Sequence, residues 1–408
     1  MQQWGILPRT MPERRVFSPS EVLLLGPGPS PVHPRILAAQ ASPVLGHLDR
    51  EFVTLMDRVQ ADLRTVFGTQ NGFTLPISAT GSAGMEACIV NLVEPGDTCV
   101  IGVHGVFGER MVDLCRRQGG EVCVVRSDYG KPLDVDELLQ KIASLGPKVV
   151  GIVHAETSTG VLMPDEEVSA IARATHEVDG FMVLDCVTSL GGHRMALDAW
   201  GIDAAYSGTQ KCLGVPPGLS PLSFSDRAMQ AARDRKQPCT SWYLDVNLLG
   251  DYWGGERKYH HTAPISAVYG LAAGLDLVLE EGLDARCARH VRVARAFIAG
   301  LEVLGLAPLV ESGYRTPMLT SIHVPDGVDA KAVQQHLRNA HSIEIGGGLG
   351  PLAGKIWRVG LMGHGARLEA VLRVLTGLAD GLDREGHACK LLPALRIAEA
   401  VHDAQEVA

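Results

Sequence analysis

Lys211 lies in Ser207-Gly-Thr-Gln-Lys-Cys-Leu, downstream of an aspartate that closes the apolar run Phe181-Met-Val-Leu-Asp185. Between the two there is room for the chain to leave one strand and return along its neighbour. A lysine can form a Schiff base with an aldehyde, and an aspartate at a strand end can hold a protonated pyridine nitrogen. Together they are the chemical minimum for pyridoxal phosphate (PLP) chemistry. The residues around Lys211 carry no charge: Tyr206-Ser-Gly-Thr-Gln precedes it and Cys-Leu-Gly-Val-Pro-Pro-Gly follows. A lysine in such a proline-braced loop is positioned rather than solvated, and desolvation favours the neutral amine that the chemistry needs.

Two other segments could complete a site. Ser78-Ala-Thr-Gly-Ser-Ala-Gly84 follows a strand and opens a helix near Met85, so its free amides suit a phosphate. Taken alone, the same segment also reads as a plain strand-to-helix turn. Arg358, in Lys355-Ile-Trp-Arg-Val-Gly-Leu-Met-Gly, sits on an expected alternating strand and can offer its planar fork to a carboxylate. A structural ion pair is the competing reading for that arginine. The glycine run Gly346–Gly350 reads as a turn, since no clear helix follows it. Tyr259-His-His-Thr262 holds adjacent histidines, but on an extended segment they would diverge, and no third ligand recurs at useful spacing. No metal is expected.

The elements that must position these residues alternate. Strand-like runs at Phe73-Thr-Leu-Pro-Ile, Thr98-Cys-Val-Ile-Gly, Val149-Val-Gly-Ile-Val and Phe181-Met-Val-Leu are separated by amphipathic stretches over 53–67, 84–92, 108–118 and 134–143. Doubly apolar strands alternating with helices predict an α/β fold with a mostly parallel sheet covered on both faces. Ligands in such sheets bind beyond the strands' carboxyl ends, where the candidates fall. Past residue 265 the pattern predicts one long helical tract over 266–304. Shorter strands follow (Leu319-Thr-Ser-Ile-His-Val and Ile356-Trp-Arg-Val-Gly), then a helix over 368–382. The expected divisions are an N-terminal extension (1–21), a large domain (22–282), a smaller C-terminal α+β domain (283–385) and a tail (386–408).

Composition sets the bounds. The 408 residues, 46% hydrophobic and 20% charged, are ordinary for an enzyme able to bury a large core. A net charge of −9 argues against a nucleic-acid surface, and no apolar run is long enough to predict a membrane span. Nine cysteines without CxxC pairing read as reduced thiols in a cytoplasmic protein. Arg9, Arg14 and Arg15 precede no apolar signal core, Met11 is an alternative start, and the terminal Gln-Glu-Val-Ala is no peroxisomal address.

Taken together, ordered blocks over roughly residues 22–378 resemble the serine–pyruvate/alanine–glyoxylate aminotransferase family, among the class V, fold-type I PLP enzymes. The blocks include Leu25-Gly-Pro-Gly-Pro, Gly46-His-Leu-Asp, Thr80-Gly-Ser-Ala-Gly-Met-Glu-Ala, His154-Ala-Glu-Thr-Ser-Thr-Gly and Asp185-Cys-Val-Thr-Ser-Leu-Gly-Gly. Ser207-Gly-Thr-Gln-Lys, Pro216-Pro-Gly, Ser241-Trp-Tyr-Leu-Asp, Tyr259-His-His-Thr-Ala-Pro, Ile343-Glu-Ile-Gly-Gly-Gly-Leu-Gly and Arg358-Val-Gly-Leu-Met-Gly continue the series. The resemblance implies a seven-stranded, mostly parallel sheet and a homodimer with shared active sites.

It also implies roles. Lys211 would be the Schiff-base lysine and Asp185 the partner of the pyridine nitrogen. Thr80, Gly81, Ser82 and Gln210 would serve the cofactor phosphate. Phe107 would stack on the ring, Val187 would pack on its other face, and Thr157 would approach the phenolic oxygen. Tyr259 and Thr262 would reach the phosphate of the neighbouring subunit. Arg358 would clamp the substrate α-carboxylate beside the loop holding Gly28. The mammalian branch carries tryptophan at the position of Phe107 and histidine at that of Ser82.

The function expected is a transaminase moving an amino group from alanine or serine to glyoxylate or pyruvate. The alternatives are a PLP lyase or desulfurase, for which Cys212 and Cys239 are the thiols to weigh, and a PLP-binding protein without catalysis.

Overall fold

The computed structural model describes residues 18–404. Arg9, Arg14, Arg15, the alternative start Met11 and the terminal Gln405–Ala408 lie outside the described residues. No helix among the described residues is long and apolar enough to cross a membrane.

Seven strands form the central sheet: β1 (Phe73–Ile77), β2 (Thr98–Val103), β3 (Glu121–Arg126), β4 (Val149–Val153), β5 (Phe181–Asp185), β6 (Ala204–Tyr206) and β7 (Ser220–Phe224). Their spatial order is β1-β7-β6-β5-β4-β2-β3, and only β7 runs against its neighbours. The expected mostly parallel sheet is therefore present. Strands β1, β4, β5, β6 and β7 are buried along their whole length, which is why β4 and β5 read as apolar runs rather than alternating ones. Helices α1 (Arg50–Phe67), α2 (Gly81–Leu92), α3 (Val106–Arg117), α4 (Val135–Leu145) and α5 (Asp165–Glu177) fill the connections.

Register carries function here. Val153 pairs with Asp185, and Asp185 pairs with Tyr206, so three side chains from adjacent strands end in one row at the carboxyl edge of the sheet.

The helix starts differ in a telling way. Asp49 and Asp134 cap α1 and α4 with their carboxylates, and α5 opens with Asp165, Glu166 and Glu167. By contrast α2 has no acidic residue in its first turn, and its N-cap Thr80 makes no side-chain cap hydrogen bond. Its amides and its positive helix end are thus available to an anion. Gly84 lets this helix sit tight on the sheet, because a Cβ there would collide with Ser220 Oγ and meet Tyr206 Cβ at 3.0 Å.

The expected helical tract over 266–304 is two helices, α6 (Ile265–Glu281) and α7 (Leu283–Val303), broken at Gly282, whose φ is +83°. Beyond them, β8 (Leu319–His323), β9 (Gly346–Gly347) and β10 (Ile356–Gly360) form an antiparallel sheet ordered β8-β10-β9. This sheet packs with α8 (Ala330–Ala340), α9 (Leu368–Arg384) and α10 (Leu391–Asp403).

Two sequence expectations change at this point. The run Gly346–Gly350 is not only a turn: Gly346 pairs with Arg358 and Gly347 with Trp357. β10 is not alternating but buried at every position, because it lies in the middle of its sheet.

One large apolar core runs from Ile36 to Val278, and a second joins Leu25 to residues Val293–Ala398. Leu23–Leu24 pair in parallel with Ile343–Glu344, so the start of the expected large domain packs with the smaller one. On this basis we propose a smaller unit made of residues 23–25 together with 283–385 and 391–403. Helix α10 buries Ala394 and Ala398 fully and half-buries Leu391 and Leu395 in the second core.

Removing residues 387–408 should lower unfolding stability by about 3 kcal/mol, the worth of those two leucines and two alanines. Urea denaturation followed by circular dichroism checks this, and an unchanged midpoint would make α10 a mere appendage.

Candidate active site

The row at the carboxyl edge opens into a cavity of about 90 Å³. Its lining includes Gly81, Ser82, Phe107, Thr157, Asp185, Val187, Gln210 and Lys211, the residues singled out in sequence around the cofactor. They arrive from the ends of β1, β2, β4, β5 and β6, where a doubly wound sheet places its ligands.

Asp185 closes β5 and is 3% exposed. Burial raises its carboxyl to about 6, against the pull of the Tyr206 hydroxyl and the Val187 amide. Tyr206 donates to one carboxylate oxygen at 2.7 Å, and the Val187 amide donates to the other at 2.8 Å. These bonds fix the carboxylate in place but leave it short of a full counter-charge. A buried carboxylate so held calls for a cationic partner.

Lys211 is 7% exposed. Burial, then the neighbouring Arg358 charge, lowers its amine to about 8, while Asp185 opposes the shift. The loop reading of a positioned, desolvated lysine agrees with this environment. Its Nζ donates to the Pro27 carbonyl, and the neighbouring Gly28 has no room for a side chain: a Cβ there would meet Lys211 Cδ at 2.9 Å.

Arg358 reaches the same place from the other sheet. Its Nη1 donates to the Thr157 carbonyl at 2.9 Å and its Nε to the Gly347 carbonyl at 2.7 Å. The residue is 5% exposed, and burial pulls its basicity below the usual value. Both of these bonds end on backbone carbonyls, while the buried Glu156 carboxylate acts on the guanidinium from farther off.

The residues fit PLP. The α2 terminus offers uncapped amides at Gly81 and Ser82, with Thr80 exposed beside them as N-cap. Gln210 has a buried side-chain oxygen without a hydrogen-bond partner. Phe107 and Val187 supply apolar surface, and Asp185 supplies the negative charge for a protonated ring nitrogen.

Three contributors went without a role in sequence. Tyr206 anchors Asp185. Glu156, fully buried, accepts from the amides of Phe107 at 3.0 Å and Ser158 at 2.9 Å and from the Ser158 hydroxyl at 2.6 Å, fixing the loops that carry Phe107 and Thr157. Arg110 lines the cavity, donates to Ser82 Oγ at 3.0 Å and lies 4.9 Å from the Phe107 ring centroid. A signal existed for Arg110, which lies one turn after Phe107 on α3 and so shares its face.

Tyr259 and Thr262 are not brought to this cavity within one chain; Tyr259 is 64% exposed. The neighbouring histidines do not diverge as expected. His260 Nδ1 and His261 Nδ1 lie 2.7 Å apart, because the segment is irregular and His260 stacks on Trp242 at 4.3 Å.

Comparison with known proteins bears on the whole chain. Residues 35–359 match the family model described as aminotransferase class-V. An alanine–glyoxylate aminotransferase of Drosophila melanogaster is 39% identical over 91% of this chain and 94% of its own. The crystal structure of a ureidoglycine–glyoxylate aminotransferase from Bacillus subtilis superposes with a TM-score of 0.93 at 37% identity, covering 95% of this chain and all of that one. That of an alanine–glyoxylate aminotransferase from Nostoc sp. gives 0.89 at 45% identity, covering 93% of this chain and 100% of that one. The chain therefore belongs to the class-V aminotransferases and is a PLP-dependent aminotransferase.

Proposed function

We propose that this aminotransferase moves an amino group from a small amino acid, alanine or serine, to a small 2-oxo acid, glyoxylate or pyruvate. The observation that carries this reading is Arg358. Its buried guanidinium stands beside Lys211 and bonds the backbone carbonyls of Thr157 and Gly347 rather than a protein carboxylate. An arginine so placed suits an α-carboxylate. Glyoxylate appears in the names of all three relatives above, which supports it as acceptor.

PLP, when bound, supplies an electron sink that stabilises negative charge at the substrate α-carbon. The chain's own groups do the rest. Arg358 holds the carboxylate and so turns the α-hydrogen toward Lys211. Lys211 Nζ takes that proton and later returns one, a task matched to an amine tuned to about 8. Asp185, steadied by Tyr206 and Val187, would keep the ring nitrogen protonated. Gly81, Ser82, Gln210 and Thr80 would hold the phosphate, Phe107 and Val187 would pack on the ring, and Thr157 would serve its phenolic oxygen. The Gly28 loop walls the substrate side.

The exposure of Tyr259 and Thr262 supports a homodimer in which they serve the neighbour's phosphate. Nine cysteines without a disulfide support a cytoplasmic setting.

A desulfurase needs a reactive thiol. Cys212 is buried, and burial pushes it up to about 12; burial raises Cys239 as well. Neither is poised for attack.

Mixing the PLP form with a panel of amino acids tests the substrate reading. Alanine or serine should convert it to the pyridoxamine form fastest, whereas faster conversion by acidic or large residues would overturn it. Arg358→Ala should raise the dissociation constant for alanine roughly 10- to 100-fold, the worth of a lost charge-assisted bond, with PLP affinity little changed. Equal loss of both in a titration would make Arg358 structural.

Uptake of PLP by the cofactor-free protein should depend on pH. Only the neutral Lys211 amine attacks, so the rate should climb as pH rises toward about 8 and level above it. Stopped-flow absorbance reads this, with Lys211→Ala as the control that forms no lysine-bound chromophore.

A further inference from the structure

Behind the active-site row, on the side away from the cavity, the chain gathers His154, Asp165 and His193. None of the three lines the cavity, and none belongs to the proposed machinery. One ligand-type atom from each lies within 4.8 Å of the others. We propose that these three side chains form a site for a divalent transition metal of the zinc class, with water completing the coordination.

The key atom is His154 Nε2. His154 is fully buried, and this nitrogen has no hydrogen-bond partner. The other ring nitrogen, Nδ1, is engaged at 2.9 Å by Ser189 Oγ. A metal-binding imidazole is commonly oriented in this way, through a hydrogen bond to its second nitrogen. Across the gap, Asp165 Oδ1 lies 3.8 Å from His154 Nε2, too long for a hydrogen bond, and 2.8 Å from His193 Nε2. Zinc bonds of about 2.0–2.1 Å in a tetrahedron separate ligand atoms by roughly 3.4 Å. These two separations lie on either side of that value, and all three atoms lie within 4.8 Å of one another, so side-chain shifts would bring them onto one ion.

Access exists because Asp165 and His193 are partly exposed, with side chains 42% and 23% accessible. Trp200 closes the apolar side, its ring 5.4 Å from that of His154.

A second trio makes the contrast. His336 and His341 both bond one oxygen of Asp380, at 2.7 and 2.8 Å, so each facing nitrogen already has a partner there. That group reads as an ordinary ion-pair cluster.

The consequence would be structural. An ion at this point ties the first turn of α5 to the end of β4 and to the turn after Gly191–Gly192. The amide of His154 donates to the Asp185 carbonyl at 2.9 Å, so the tie braces the strand end that presents the catalytic carboxylate. The site departs from the expectation of no metal, which weighed only His260 and His261.

Metal-stripped holoenzyme titrated with zinc, and separately with cobalt(II), tests the proposal. The wild type should hold one zinc per chain through gel filtration and unfold at higher temperature with it. It should also give tetrahedral cobalt bands to the red of the cofactor absorbance. His193→Ala and Asp165→Asn should each weaken binding at least about ten-fold, whereas His341→Ala should not. No retained zinc in the wild type would overturn the site. Retention unchanged by His193→Ala and Asp165→Asn, each shown folded by its cofactor absorbance, would overturn it equally, placing the ion elsewhere.

Discussion

The structure turns on a carboxylate held where carboxylates are unstable. Asp185 is buried at the end of β5, and the fold supplies it with a tyrosine hydroxyl and one backbone amide rather than a cation. Its carboxyl is raised to about 6 as a result. The sign of the consequence follows. A carboxyl raised on folding costs stability, and that cost grows as pH climbs from the unfolded value and is complete above about 6. In the proposed role a protonated ring nitrogen beside it would remove the cost, so cofactor binding and folding would reinforce one another. The sheet register, with Val153, Asp185 and Tyr206 in one row, keeps both oxygens occupied and the group oriented.

Around that carboxylate, positive charge is arranged in graded fashion. Lys211 and Arg358 face the same buried space, and each lowers the case for a second full charge there. The lysine yields, because an amine can lose its proton near neutrality while a guanidinium cannot. Arg358 helps hold Lys211 at about 8, and in the proposed function it would also offer a charged fork to a substrate. Glu156 tempers both from a distance while its oxygens secure the Phe107 and Ser158 amides.

Much of this was legible in the residues themselves. The strand delivering Asp185 reads from Phe181-Met-Val-Leu because a strand buried on both faces must be apolar throughout. The start of α2 reads from Gly81, Ser82 and Gly84 because small residues after an apolar strand mark a tight strand-to-helix turn. What did not read were contacts set by register and by chain return. Tyr206 looks like one more apolar strand residue until β6 is paired with β5. The break at Gly282 was hidden because helical periodicity continues on both sides of it. The pairing of Gly346–Gly347 with β10 leaves no periodic trace in two glycines. Nor did position in the chain reveal that Leu25 packs with residues after 290.

The same distinction explains why the His154 trio could not be seen in advance. Its members are scattered over β4's end, the start of α5 and the turn after Asp185, with no spacing that a ligand motif would show. They meet because the sheet's carboxyl edge has two sides. The cavity takes the side chains of Thr157, Asp185 and Lys211, and the residues between them must point away. Elsewhere on the strand that outward direction is met by apolar packing, as Leu184 illustrates. At His154 it is met by an imidazole, a carboxylate and a second imidazole. Polar groups are costly to bury without partners, so an unpartnered nitrogen there is the feature least explained by packing and best explained by an ion.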